Sequence, residues 1–244
     1  MPPTGQTIQG YLQGHALFSQ LKEEAVLNFA SYALLKAEKR GTVIFSPESS
    51  SDKFYLIVSG WVKLFRETMG GAEAVTDVLT AGGVFGEIAL TGRELVPYGA
   101  EVIEDAEIIS IPRFLLSEEI VRNGLFGLHA LRHLAWQKNR SDMEVEHRTV
   151  QSAPQRIGCF LLKLCPDRQS AEAVAIQLPY DKMDIARRLG MQPETFSRAL
   201  VRLREDAGVR VKGTCVEIDN VGQLMRYTCA ACSSGAPCGG GDFR

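Results

Sequence analysis

The chain has 244 residues, 45% apolar and 23% charged, the make-up of a globular protein with one large or two modest domains. A formal charge of −2 and a pI near 6.1 exclude a uniformly basic surface, so any nucleic-acid contact has to be local. No charged-then-apolar leader opens the chain and no apolar run approaches the roughly 20 residues of a membrane span, so the six cysteines are read in a reducing, cytoplasmic compartment, where thiols serve metals or redox chemistry.

A short helical stretch, LFSQLKEEAVLNFASYA, comes first. From about Thr42 to Pro112 the chain then reads as short strands. TVIF, KFYLIVSGWVKLFRE, AVTDVLTAGGVFGEIAL and AEVIEDAEIISIP carry β-branched and aromatic residues between glycines. Gly60, Gly70-Gly71, Gly82-Gly83 and Gly86 are read as the turns. Strands of this length and spacing predict an antiparallel barrel or jelly roll.

The period then changes. Between Phe114 and Thr149 there is no proline, and the spacing predicts one long helix from about Leu125 to Val150. Leu128, Leu131, Ala135, Lys138, Asp142 and Val145 recur at alternating three- and four-residue steps, a heptad-like stripe. Nothing in the sequence covers that stripe, which predicts a second copy of the chain alongside it. Ser152-Ala153-Pro154 ends the helix or hinges it.

Beyond the proline, QRIGCFLLKLC reads as an apolar helix with Cys159 and Cys165 as core residues. LPYDKMDIARRLG is a second helix, opened by Asp181 and closed by Gly190. MQPETFSRALVRLREDAG is a third, with Pro193 in its first turn and Gly208 at its end. VRVKGTCVEID alternates around Lys212-Gly213 as a hairpin. Two helices across a tight glycine turn, followed by a hairpin, predict a winged helix-turn-helix.

Between Lys182 and Lys212 eight basic residues face four acidic ones, a local surplus of +4 in a chain that totals −2. Phosphate neutralisation needs such a surplus. In PETFSR, Glu194, Ser197 and Arg198 share one face of the first helical turns, where a recognition helix meets base edges. Arginine can fork onto guanine, glutamate can accept from cytosine, and serine can serve a base or a phosphate. Thr195, Arg202 and Lys212 are placed for phosphates, and Phe196, Leu200 and Leu203 for the core.

MDIARRLGMQPETFSRALVRLRE resembles the helix-turn-helix of the CRP/FNR transcription regulators, and its E-x-x-S-R triplet resembles their FNR and DNR branches. KRGTVIF, KFYLIVSGWVKLFRE and GGVFGEIAL resemble the β-roll of the cyclic-nucleotide-binding fold, which a dimerisation helix follows in that family. The resemblance covers roughly residues 15–222. It implies an α+β chain: a β-roll with N-terminal helices over 1–123, a dimerisation helix over 124–151, a winged helix-turn-helix over 152–222, and a cysteine-rich tail over 223–244. It further implies a homodimer on double-stranded DNA, reading a palindrome of TTGA-like half-sites with Glu194, Ser197 and Arg198. RNA polymerase is the expected partner of an activator, and no membrane or enzymatic role is expected.

Nucleotide-binding members hold the ribose with a glycine–glutamate pair, here Gly86 and Glu87, and the phosphate with an arginine and a nearby hydroxyl. This chain places Pro97, Tyr98 and Gly99 there, and Arg93 falls on the wrong side of the loop, so a cyclic nucleotide is not expected. Glu87 is then a structural remnant contacting backbone or the dimer helix. His129 and His133 read as ordinary helix-face histidines, and His15 is too weak a candidate for haem to be expected.

The tail, YTCAACSSGAPCGGGDFR, shows no periodicity of a packed helix or strand. Cys229-x-x-Cys232 is a chelating spacing and Cys238 adds a third thiol. FNR-type relatives sense oxygen through a 4Fe–4S cluster on N-terminal cysteines. Here the thiols lie at the opposite end, and the resemblance implies the same cluster on them. Asp142, a carboxylate where related helices carry an apolar residue, is the candidate fourth ligand; Cys215 competes, and pairing of Asp142 with Lys138 or Arg140 is the plain alternative. Zinc, thiol–disulfide switching and an inert tail stay open. The rival classes are a cysteine enzyme, which lacks a catalytic arrangement, and a non-DNA cyclic-nucleotide module, which leaves the Glu194–Arg198 face unexplained.

Overall fold

The computed structural model describes residues 7–71, 73–165, 173–178, 185, 186 and 188–230. The described residues divide into two compact units, one up to Ala135 and one from Trp136 onward.

The first unit opens with α1 (Ile8–Gly14), a 3-10 turn (Ala16–Phe18) and α2 (Glu23–Tyr32). Six strands follow: β1 (Leu34–Glu38), β2 (Val43–Phe45), β3 (Lys53–Glu67), β4 (Glu73–Thr80), β5 (Val84–Phe85) and β6 (Gly99–Pro112). All pairings are antiparallel, in the order β1-β6-β3-β4, with β2 on β6 and β5 on β3. This is the expected β-roll.

Three local expectations are corrected. Gly60 is no turn; it sits inside β3 at φ +82, where the β3–β6 register slips on either side of it. A Cβ there would meet the Asp105 carbonyl oxygen at 2.3 Å, so the close approach of two backbones requires glycine. GEIAL is not strand but a 3-10 turn, Glu87–Thr91, entered through Gly86 at φ +84. β1 went unread because nearly all of it is exposed at a sheet edge, leaving no apolar alternation to read.

Two apolar clusters hold this unit. Phe18, Phe29, Phe54 and Phe126 centre the first, joining the N-terminal helices to the sheet, to α3 (Arg113–Arg122) and to the start of α4 (Gly124–Val150). Ile57, Val62, Phe85, Val102 and Ile108 fill the roll, with Phe45 and Tyr55 packed on them.

In the second unit α4 ends at Val150, and α5 (Ala153–Leu164) begins with a Ser152–Gln155 capping box and Pro154 in its first turn. Cys159 and Cys165 are buried as expected. Helical residues Ile185, Ala186 and Arg188 lead to Gly190 at φ +62; the helix start expected at Asp181 lies outside the described residues. Then come α6 (Pro193–Ala207), β8 (Val209–Lys212), β9 (Cys215–Ile218) and α7 (Val221–Cys229). Gly208 caps α6 at φ +65, its N–H reaching the Leu203 and Arg204 carbonyls.

The hairpin gains an unexpected third strand, β7 (Val174–Gln177), in the order β7-β9-β8. A second correction concerns the tail. α7 crosses residue 222, so Tyr227, Thr228 and Cys229 are helical, and Val221, Leu224 and Thr228 are fully buried. α7 lies on α5 where Gly158 removes a side chain: a Cβ there would stand 2.4 Å from Thr228 Oγ1.

Candidate nucleic-acid interface and thiol site

Capping by Pro193 and Gly208 fixes where α6 starts and stops, and its apolar residues fix how it is turned. Phe196, Ala199, Leu203 and Ala207 are buried, whereas Glu194, Ser197, Arg198 and Arg202 are exposed. Leu200, expected in the core, is only half-buried; Ala199 takes the inward place. Thr195 is half-buried. Arg198 folds back so that its Nε donates to the Glu194 carbonyl oxygen at 3.4 Å, keeping the two side chains on the same turn. Lys212 is 72% exposed on the hairpin, with its Nζ 3.5 Å from Glu217.

The basic surplus is redistributed. Arg188 is an internal residue, its side chain 9% exposed and forked onto Glu144 of α4 (Nη2–Oε1 2.8 Å, Nη1–Oε2 3.1 Å). Arg210 pairs with Glu217 and Asp219. Of the basic side chains counted in the sequence, those standing exposed on α6 are Arg198, Arg202 and Arg204. Lys182 and Arg187 lie outside the described side chains. Burial alone would raise the Glu144 carboxyl, but the charges of Arg188, Lys163 and Arg140 bring it down to about 2. Sequence reading missed Glu144 because its partner lies 44 residues away and no local pattern links them.

Gly86 and Glu87 are both engaged by Tyr98. The Gly86 N–H donates to Tyr98 Oη at 2.9 Å, and Tyr98 and Glu87 are hydrogen-bonded through their side chains. Tyr98 is 8% exposed, its ring 5.6 Å from that of Phe45, while Tyr55 stacks on Phe85 at 4.8 Å. Burial, then the Glu87 charge, pushes the Tyr98 phenol well up; burial first also raises Glu87, with Asp77 contributing. Of the two expected roles for Glu87, contact with backbone holds. Its tyrosine partner was not foreseen.

His15 uses both ring nitrogens: Nδ1 accepts from the Leu17 N–H at 3.2 Å, and Nε2 donates to the Gly82 carbonyl at 3.0 Å. Burial, with the His15 charge second, lowers His133 to about 4, so it is neutral at pH 7.

Cys229 ends α7, half-buried; Cys232 and Cys238 lie outside the described residues. Asp142 is 60% exposed on α4 and ion-paired with Lys138 one turn earlier. Cys215 is half-buried on β9. Among the described residues no three His, Cys, Asp or Glu side chains converge as a metal site. A Cys–His contact that the sequence did not suggest joins α5 to α4: Cys159 Sγ lies 3.6 Å from His147 Nδ1, both buried.

Comparison with known proteins places these features in order along the chain. Residues 36–123 match the cyclic nucleotide-binding domain family, and residues 155–227 match the Crp-like helix-turn-helix domain. The cyclic AMP receptor protein of Thermus thermophilus is 30% identical over 207 residues, covering 85% of this chain and 94% of its own. The fumarate and nitrate reduction regulatory protein of Vibrio cholerae is 25% identical over 192 residues, covering 78% and 76%. A structure from Ruegeria pomeroyi, provisionally assigned as a cyclic nucleotide binding protein, superposes with a TM-score of 0.68 at 33% identity, covering 91% and 96%. FixK2 of Bradyrhizobium japonicum shares the fold, with a TM-score of 0.68 at 23% identity over 79% and 95%.

Proposed function

The chain belongs to the CRP/FNR family of DNA-binding transcription regulators, and from that premise we propose a homodimer that reads a palindrome of TTGA-like half-sites and answers to oxygen, nitric oxide or redox state through its C-terminal cysteines. The observation that carries the DNA reading is the two-faced α6, with Glu194, Ser197 and Arg198 outward over a buried Phe196, Ala199 and Leu203. Arg198 is the base-reading fork; Glu194 and Ser197 share its turn; Arg202 and Lys212 hold phosphates.

The sensing half rests on donor chemistry. Three soft thiols, Cys229, Cys232 and Cys238, suit a 4Fe–4S cluster, which when bound supplies a centre that oxygen or nitric oxide degrades. The seat of Cys229 at the end of a helix packed on α5 supports it as one of the ligands. Asp142 would serve as fourth ligand only by giving up Lys138. The names of several relatives refer to cyclic AMP; here the hydrogen bonds of Tyr98 to the Gly86–Glu87 pair support a β-roll that works without a cyclic nucleotide.

Anaerobically purified protein should carry iron and acid-labile sulfide that are lost in air, and its affinity for a TTGA palindrome should change with them. Arg198→Ala should weaken that binding by roughly 10- to 100-fold against a scrambled site. A colourless, iron-free protein with the same affinity in air and without it would remove the cluster, and equal binding of both sites by wild type would remove the base reading.

A further inference from the structure

The second unit carries charge where a DNA-binding domain has little reason to bury it. Arg188 stands two residues before the Gly190 turn that leads into α6. Its guanidinium is directed at α4, and both Glu144 oxygens receive one of its N–H groups. Lys163 of α5 adds a second cation at 3.4 Å from the same carboxylate. A two-pronged fork fixes rotation as well as distance, which a single ion pair does not.

Neighbouring contacts stiffen the same junction. One turn after Glu144 on α4, His147 meets Cys159, which lies one turn before Lys163 on α5. Arg156 of α5 donates to the Leu189 carbonyl oxygen at 3.4 Å, next to Arg188. The turn itself is tight: the Met191 N–H reaches the Ala186 carbonyl at 2.8 Å, and Met191 is buried. A shift of Arg188 relative to Glu144 therefore moves the start of α6.

We infer that Glu144 and Arg188 are positioning residues for DNA reading, a clamp that sets the angle of the recognition helix against α4. This rests on the homodimer reading above. If α4 lies along its copy, the angle between α6 and α4 sets the spacing of the two readers, and half-site spacing is a geometric property of the dimer. Arg188 is thereby withdrawn from the phosphate contacts that its charge alone suggests.

Full-length Glu144→Gln, Arg188→Gln and the double variant would be titrated on three duplexes: the palindrome, the palindrome with its spacer changed by one base pair, and a single half-site. Both single variants should lose roughly tenfold on the palindrome while matching wild type on the half-site. Their preference for the correct spacer should shrink, and the double variant should be no weaker than either single. The slope of log affinity against log salt should stay that of wild type, because Arg188 touches no phosphate.

A slope reduced by about one unit in Arg188→Gln alone would make it a phosphate contact and overturn the clamp. Wild-type spacing preference in both variants, or equal loss on half-site and palindrome, would do the same. Sedimentation of the wild type separates the two readings. A monomer overturns the homodimer and the clamp with it, whereas a dimer with indifferent variants overturns the clamp alone.

Discussion

Tyr98 brings a buried phenol into the roll, against the Gly86–Glu87 pair. Its hydroxyl accepts from the Gly86 N–H and shares a hydrogen bond with Glu87, while Asp77 adds a further negative charge nearby. An anion entering here would meet two carboxylates and displace a buried ring. Tyr98→Phe should keep the packing but strand Glu87 and the Gly86 N–H, lowering unfolding free energy by about 1–3 kcal/mol in urea titration. Tyr98→Ala removes the ring against Phe45 as well, and should cost about 3–5 kcal/mol. Calorimetric titration with cyclic AMP should show no saturable heat for the wild type. A stoichiometric isotherm would mean that Tyr98 swings aside, contrary to its tight seat.

Elements differ in how far their sequence announces them. α6 was legible to within two residues because proline and glycine mark its ends, and its apolar spacing marks its inner face except at Leu200, where Ala199 turns inward instead. β3 was legible as a run, although the glycine within it marks a bulge and not a turn. β1, β7 and α7 were not legible. β1 is an exposed edge, and β7 is a four-residue strand whose pairing with β9 joins residues 40 or so apart. α7 is short, and its burial depends on a groove over Gly158 that only the tertiary fold creates. The shared exposed face of Glu194, Ser197 and Arg198 on α6 was legible from local helical spacing; the Glu144–Arg188 and His147–Cys159 contacts join separate elements, so no local pattern could show them. Gly158→Ala tests the groove: its methyl would meet Thr228 Oγ1 at 2.4 Å and Leu224 Cδ1 at 3.0 Å, both in fully buried residues. The variant should lose about 1–3 kcal/mol of stability, read by thermal or urea unfolding, and Thr228→Ser should not restore it because the hydroxyl remains. Glu144 ties α4 to the same unit through charge. Its carboxyl is held at about 2 against an ordinary 4.5, so the folded state favours the ionised form. That stability is complete above pH 4.5 and is lost as pH falls towards 2, on the order of 3 kcal/mol in all. Glu144→Gln should flatten this part of the acid-unfolding curve, and an unchanged curve would place the acid sensitivity elsewhere.

At the scale of the whole molecule, the long helix sets the terms on which the family's dimeric habit can apply to this chain. Leu125, Leu128, Leu131 and Val145 are 65%, 42%, 62% and 63% exposed on α4, well beyond what one chain needs to leave uncovered. Lys138 and Asp142 interrupt that stripe, and their ion pair along the helix lets the two polar residues share a seam without an unmatched charge. Burying each leucine against a copy is worth about 1.5–3 kcal/mol, and two-fold symmetry counts every substitution twice. Leu131→Asp therefore removes two apolar contacts and sets two carboxylates facing each other. Sedimentation should show wild type as a dimer at micromolar concentration and the variant as a monomer, with α-helical circular dichroism retained. In the same preparations, palindrome affinity should drop to that of a half-site while half-site binding is unaltered, because α6 and its core are untouched. A variant that stays dimeric would show that another surface joins the copies, and that Leu131 is exposed for a different reason.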